Sequence, residues 1–260
     1  MKIILNEKQI LDKAINEKKI YDKPMVTIRL LIKYYFSIGQ KKRQVYDSVN
    51  SFLKENMHLY AEAKWQKNID KAIVDINKSK KFDMFVVNKV TIFKDEMDKI
   101  KTIDNFRLEK LAFTLLVYSK IYNQMNCNST NWVNAPLKDI FKDAKITVKK
   151  ADQDIMIHKL KNLELVHIPK KVDCINIKLL YAYDNGEVAF EISDFRDFVL
   201  NYDRYFNTDK YGYCKNCNKI MKVNNNKQKY CDECAKEIWY QNHKDVARES
   251  YHRRKNKDFD

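Results

Sequence analysis

Four cysteines near the end of the chain are the residues best suited to chemistry. Two residues lie between Cys214 and Cys217 and two between Cys231 and Cys234, and thirteen residues separate the pairs. Two sulfurs at C-x2-C spacing converge on one ion, so the quartet is expected to hold a tetrahedral Zn²⁺. The thiolate is the ligating form, and the bound ion supplies folding energy that so short a segment cannot draw from a core. With all four positions taken by sulfur, no open position is left for water, and the ion is expected to hold structure rather than react. Cys127 and Cys174 stand apart from the quartet and read as reduced thiols, which fits a cytoplasmic protein.

Other chemistry is hard to assemble. Three glycines cannot supply a GxxxxGK[ST] or GxGxxG phosphate loop. A histidine-dependent nuclease on the finger would need histidine among residues 218–230, where there is none; His243 and His252 lie far downstream. The acid pairs Asp152/Asp154 and Asp194/Asp197 are ordinary helix-surface features, and His158 and His167 read as core or surface residues. No serine or cysteine nucleophile is aligned with a base. The chain is expected not to be an enzyme.

The formal net charge is +15 over 260 residues. A solvated lysine-rich surface accounts for part of it, and a polyanionic partner, most often nucleic acid, for the excess. Residues 210–260 carry 13 Lys+Arg against 7 Asp+Glu, while residues 1–209 carry 37 against 28. No stretch approaches the roughly 18 apolar residues of a membrane span, and Met1 to Ile20 lacks the apolar centre of a secretory signal. An apolar content of 45% suits one large domain or two modest ones.

The elements that must position these residues are mostly helices, giving a mainly α (α+β) class. Asn6 to Ile20 carries a short helical pattern. Pro24 can open a second helix through Phe36 that Gly39 stops. Val45 to Leu53 and Glu62 to Lys78 form two more, and a helix-turn-helix or an ordinary αα-hairpin would both fit. Residues 25–80 also faintly resemble the helical segment that follows the catalytic domain of some mobile-element primases, through the Gly39 turn and Trp65, Ile69 and Ile73; no catalytic residues come with that resemblance.

Phe82 to Phe93 has β-type composition, Lys94 to Ile103 is helical, and Asn105 to Met125 forms a helix apolar around most of its circumference, hence central. Asn131 to Ala135 is expected as a loop with Trp132 pinned in a groove. Pro136 opens a helix from Leu137 to Ala144, Thr147 caps another from Val148 to Leu163, and Val166 to Ile168 is a strand. Ile175 to Tyr183 and Glu187 to Ile192 read as a hairpin around Asp184-Asn185-Gly186, and Ser193 caps a last helix, Asp194 to Phe206. Three helices and a β-hairpin resemble a winged helix across residues 105–195. In that frame Val148–Leu163 is the recognition helix, with Val148, Ala151, Ile155 and Leu160 inward and Lys149, Lys150, Gln153, Met156 and Lys159 outward. Lys170 and Lys171 sit in the wing. Asp152 and Asp154 oppose tight groove insertion, so a protein-binding or scaffolding winged helix also fits. The expected domains are a helical region, 1–103, a winged-helix-like domain, 104–206, and a zinc finger with its helix, 211–260.

Within the last domain, Ile220 to Val223 and Lys227 to Tyr230 suit a hairpin about Asn224 to Asn226, and Cys231 and Cys234 open a helix to about Lys255. Knuckle, hairpin and helix-borne cysteines make the treble-clef order, with Trp239, Val246 and Ala247 expected to pack on the knuckle or another domain. Lys244, Arg248, Tyr251 and Lys255 share one stripe, and Arg253 and Arg254 add charge beside it; such a helix suits phosphate contacts. This ending resembles the C-terminal zinc finger of proteins encoded by phages and prophages of low-GC Gram-positive bacteria. Lys33-Tyr34-Tyr35-Phe36 with Gly39, Leu111-Ala112-Phe113-Thr114-Leu115-Leu116-Val117-Tyr118 and Asn131-Trp132-Val133-Asn134 extend that resemblance over most of the chain. It implies a zinc-binding, nucleic-acid-handling protein and carries no activity. The expected role is nucleic-acid binding, DNA before RNA, in transcription or replication; the alternative is docking to a host polymerase or defence nuclease.

Overall fold

The computed structural model describes residues 3–126, 130–169, 176–225 and 227–257, with side chains as far as Glu249. The chain divides into two compact units, Lys2–Asn88 with Asn123–Asn128, and Lys89–Tyr122 with Ser129–Asp260. The cut at Asn88/Lys89 puts residues 89–103 in the second unit. Ten α-helices and seven short strands are formed among the described residues, so the protein is mainly helical. None of the described helices is long and apolar enough to cross a membrane.

The first unit contains α1 (Glu7–Glu17), α2 (Pro24–Ser37), α3 (Lys42–Asn56) and α4 (Glu62–Ser79). Local signals set the ends. The Asn6 side chain accepts the Gln9 N–H at 2.9 Å, which satisfies one of the donors that a helix start leaves open. Pro24 opens α2, and Gly39, at φ 86°, turns the chain after it. The Gln44 side chain accepts the Lys41 N–H at 2.8 Å. Ile28, Leu31 and Ile32 of α2, Val45, Val49 and Leu53 of α3, and Ile69 and Ile73 of α4 form the core with Leu11 and Ala14 of α1. Residues 82–89, expected to be extended, make only an isolated bridge between Val86 and Asn6.

The second unit is built around α6 (Phe106–Met125), preceded by β1 (Val90–Phe93) and α5 (Lys94–Lys101). Leu111, Ala112, Phe113, Leu115, Leu116 and Val117 are consecutive along α6 apart from Thr114, and all are fully buried. A helix apolar on every side must be covered on every side. Three buried tyrosines on and around it are paired, whereas the Ser119 hydroxyl is buried without a hydrogen-bond partner among the described residues. Tyr181 donates to Ala112 O at 2.7 Å, Tyr118 to Asp143 at 2.6 Å, and Tyr202 to Glu109 at 2.6 Å. Glu96, with no exposed surface, accepts from the Phe93 N–H at 2.9 Å, the Tyr183 N–H at 2.8 Å and Lys120 Nζ at 2.8 Å. An isolated buried carboxylate would be costly; three donors remove most of that cost.

After α6 come β2 (Trp132–Val133), α7 (Leu137–Asp143), α8 (Lys150–Asn162), β3 (Val166–His167) and β4 (Ile177–Leu179). The strands form one antiparallel sheet in the order β2-β4-β3. Trp132 is therefore in a strand, opposite Lys178, and not in a loop. Then β5 (Val188–Ile192) pairs with β1, Val90 facing Ile192. The hairpin expected around Asp184-Asn185-Gly186 is not formed: its two sides belong to different sheets. Gly186, at φ 144°, lies against the Phe93 ring instead.

Two helices are shorter than their patterns. α8 begins at Lys150 with Lys149 as its N-cap residue, and Thr147 does not cap it. Its inward side is Gln153, Met156, Ile157 and Leu160, while Ile155 is 51% exposed and Ala151 faces solvent. The inward set follows the i, i+3, i+4, i+7 rule; the expected set followed apolarity. α9 is Leu200–Phe206, because Asp194 accepts from the Arg196 N–H at 2.9 Å and Asp197 adopts φ 48°. That local turn competes with helix, although Phe195, Phe198, Val199 and Tyr202 are all buried.

Candidate metal centre and the helix it anchors

A 3-10 turn, Thr208–Lys210, leads from α9 into β6 (Tyr211–Tyr213), which pairs with β7 (Ile220–Lys222). The first cysteine pair occupies the tip of this hairpin. The Cys214 N–H donates to Lys219 O and the Asn218 N–H to Cys214 O, each at 2.9 Å, with Asn218 at φ 55°; asparagine tolerates that conformation. The partner of β7 is thus the strand before the cysteines. Among the described residues Lys227 to Tyr230 form no strand, so the hairpin expected between the cysteine pairs is replaced by a turn. That turn places Lys229 O to accept the Lys215 N–H at 2.9 Å, and Cys231 reaches the start of α10 (Asp232–Lys257).

The four ligand sulfurs lie within 4.8 Å of one another, with Cys214, Cys231 and Cys234 buried and Cys217 half-buried. Cys217 Sγ and Cys231 Sγ are 3.8 Å apart. Tetrahedral Zn–S bonds of about 2.3 Å separate sulfurs by about 3.8 Å, whereas a disulfide holds them at about 2.0 Å. The quartet therefore fits a metal ion. Its electrostatics fit too. Burial opposes ionisation of Cys214, but the N–H groups of Cys231, Cys217 and Asn216 outweigh it and lower its pKa to about 6. At Cys234 the Asn216 amide favours the thiolate, but burial and the facing sulfurs of Cys217, Cys231 and Cys214 prevail and push the pKa up to about 12. Without a cation the cluster accepts a first negative charge readily and resists further ones; a divalent ion removes that conflict.

The module is held to the body of its unit by charges that spacing gave no sign of. Lys219, beside the knuckle, meets Asp197 at 2.8 Å and Glu233 of α10 at 3.3 Å. Asp197 also meets Lys145 at 3.0 Å. Burial opposes the Asp197 carboxylate, but the two lysines lower its pKa. Arg196 donates to Cys217 O at 2.8 Å while gripping Asp194. A cleft of about 650 Å³ opens beside this clasp, lined by Lys110, Asp203, Tyr211 and Lys219 among others. Tyr211 donates to Asp203 Oδ2 at 3.2 Å, and burial with that carboxylate pushes its pKa up to about 12. Asp203 Oδ1 is buried with no hydrogen-bond partner.

Beyond its first turn α10 leaves the module behind. Ile238 is half-buried, but Trp239 is 54% and Val246 66% exposed, and Ala247 is exposed as well. These three do not pack on the knuckle or elsewhere in the unit, contrary to the expectation from their apolarity. The candidate phosphate-binding residues fall into three groups. Lys149 and Lys150 are exposed at the start of α8, and Lys244 and Arg248 are exposed on α10. Tyr251, Arg253, Arg254 and Lys255 lie on the helical backbone of α10, with side chains outside the described residues. Lys170 and Lys171 lie outside the described residues altogether.

The chain matches no protein-family model, no curated protein and no solved structure.

Proposed function

We propose that this is a zinc-dependent nucleic-acid-binding protein, of the mobile-element kind that its ending resembles, acting on transcription or replication by binding and not by catalysis. The observation that carries the proposal is α10, a helix of 26 residues. A four-sulfur site stands at its first turn, and Lys244 and Arg248 are exposed on its later ones. From Lys244 to its end it holds six Lys+Arg against two Asp+Glu. The ion is Zn²⁺ in this proposal because an all-sulfur tetrahedral set is the usual closed zinc site. Zinc would supply structure: it would lock the knuckle to the start of α10. In fold terms the module is, in this proposal, a treble-clef variant whose knuckle is the tip of its described hairpin.

The order helix, strand, helix, helix, strand, strand from α6 to β4, with the last strand central in the sheet, supports a winged helix. In it α8 is the third helix and the β3–β4 connection, which contains Lys170 and Lys171, is the wing. This favours DNA over RNA as the partner. A second proposal has its own observation. The exposed side of α8 combines Ile155 with Asp152 and Asp154; phosphates would repel the two acids and a protein surface would accept them, so in this second proposal the winged helix docks a host protein while α10 holds nucleic acid.

Salt dependence tests the proposal. Binding to a labelled duplex should weaken by orders of magnitude between about 50 and 200 mM salt, as condensed counterions are released. Lys244→Gln with Arg248→Gln should flatten the log–log slope by about 2, one for each phosphate contact. A salt-independent affinity, or no binding of either duplex or single strand at low salt, would overturn it.

A further inference from the structure

The exposed side of α10 is aromatic as well as basic. A helix advances 100° per residue. Cys231, Cys234, Ile238 and Asp245 thus mark the side turned toward the module, and Glu249 continues it. Tyr240, His243 and Ala247 fall roughly opposite, with Trp239 and Val246 on one flank and Lys244 and Arg248 on the other. Tyr240 is 68% exposed and Trp239 more than half exposed. The Trp239 ring lies over the His243 imidazole, with centroids 3.8 Å apart and planes at 32°, and His243 Nδ1 is 3.1 Å from Trp239 O. Tyr240 stands edge-on to Trp239 at 5.2 Å. Two large rings kept in water are an expense for a helix that gains no packing from them; Tyr240 lies around the helix between Trp239 and Lys244, and the acids Asp245 and Glu249 turn away from it.

We infer that this face is a stacking platform for single-stranded nucleic acid, with Trp239 and Tyr240 receiving base faces while Lys244 and Arg248 follow the phosphates. The inference rests on the nucleic-acid function proposed above and narrows its substrate. Charge complementarity selects a polyanion, and the rings select among polyanions. In a duplex the base faces are covered by their neighbours, so rings on a helix surface would meet sugar and phosphate and gain little. An unpaired strand offers a free π-face at every base, and aromatic stacking of this kind tolerates any sequence. Trp239 is already propped from behind by His243, which fixes its plane before a base arrives and lessens the ordering cost on binding.

The test uses the full zinc-loaded chain with three probes of equal length: oligo-dT, oligo-rU and a DNA duplex. Trp239→Ala with Tyr240→Ala is expected to weaken binding to at least one single-stranded probe by roughly ten- to a hundredfold, the loss of one or two stacked bases. Duplex affinity and zinc content should not change, and Trp239→Phe with Tyr240→Phe should restore most of the binding. Which oligonucleotide responds more decides between DNA and RNA. Equal single-strand affinity in the alanine variant overturns the inference, and so does an equal loss on duplex and single strand. Both of those results leave the nucleic-acid function standing, whereas failure of the parent protein to bind any probe removes that function and the platform together. A parent protein that sediments as a dimer, becomes monomeric in the alanine variant and keeps its oligonucleotide affinity would show that a second copy covers this face, and would likewise overturn the inference.

Discussion

The quartet is delivered in pairs by two pieces of backbone: Cys214 and Cys217 from the tip of the β6–β7 hairpin, Cys231 and Cys234 from the start of α10. Losing one ligand should therefore release two elements at once. Cys231→Ser is expected to reduce bound zinc from one equivalent to none, measured by chromophoric chelator release, because a serine hydroxyl does not ionise to a comparable ligand at neutral pH. Removing the metal from the parent protein should expose four further thiols to a disulfide reagent. Full zinc retention in the serine variant would show that the ion is not held by these sulfurs. Spacing alone was enough to single out the four cysteines that the fold brings together, because ligand spacing is local. The Asp197, Lys219 and Lys145 clasp was not legible, since its members lie far apart along the chain and no periodicity marks lysine–carboxylate pairs before the chain folds.

Helix boundaries show what a linear pattern can and cannot carry. α2 ends where Gly39 stands at φ 86°, and a Cβ there would meet open space. The cost of Gly39→Ala is then purely conformational, about 1 kcal/mol, read as a fall in the unfolding midpoint of the first unit with nucleic-acid affinity unchanged. A stabilised variant would mean that the turn is not held in this conformation. Caps and helical periodicity made α1 to α4 and α6 readable to within a few residues, since both act over one or two turns. The strands were readable mainly as composition. Asp184-Asn185-Gly186 has the chemistry of a tight hairpin, yet β4 finds its partners in β2 and β3, and β5 pairs with β1. No local rule chooses between strands so distant. For the same reason the side of α8 that faces inward was misplaced: the buried phase is set by what covers the helix, and Gln153 is half-buried while Ile155 is not.

At the scale of the molecule, the apolar core and the candidate metal site lie in different regions. The first unit has its own apolar core from Leu11 to Ile76, and the metal module has almost none, only Met221 beside its buried cysteines, with Val223 and Tyr230 packed against them. Chelation is expected to remove part of the far-ultraviolet helix signal, chiefly that of α10, while the emission of Trp65, which packs on the first unit's core, is unchanged in a variant retaining it as the sole tryptophan. Loss of the whole helical signal would mean that the metal supports both units. The pairing of β1 with β5 has a consequence in time. Lys89 and its ion-pair partner Glu191 lie 102 residues apart. A ribosome adding about 5–20 residues per second leaves β1 waiting roughly 5 to 20 seconds for its partner. During that interval Val90, Ile92 and Phe93 are an unpaired strand edge, the kind of edge that invites aggregation, and the interval ends before the cysteine quartet has been made.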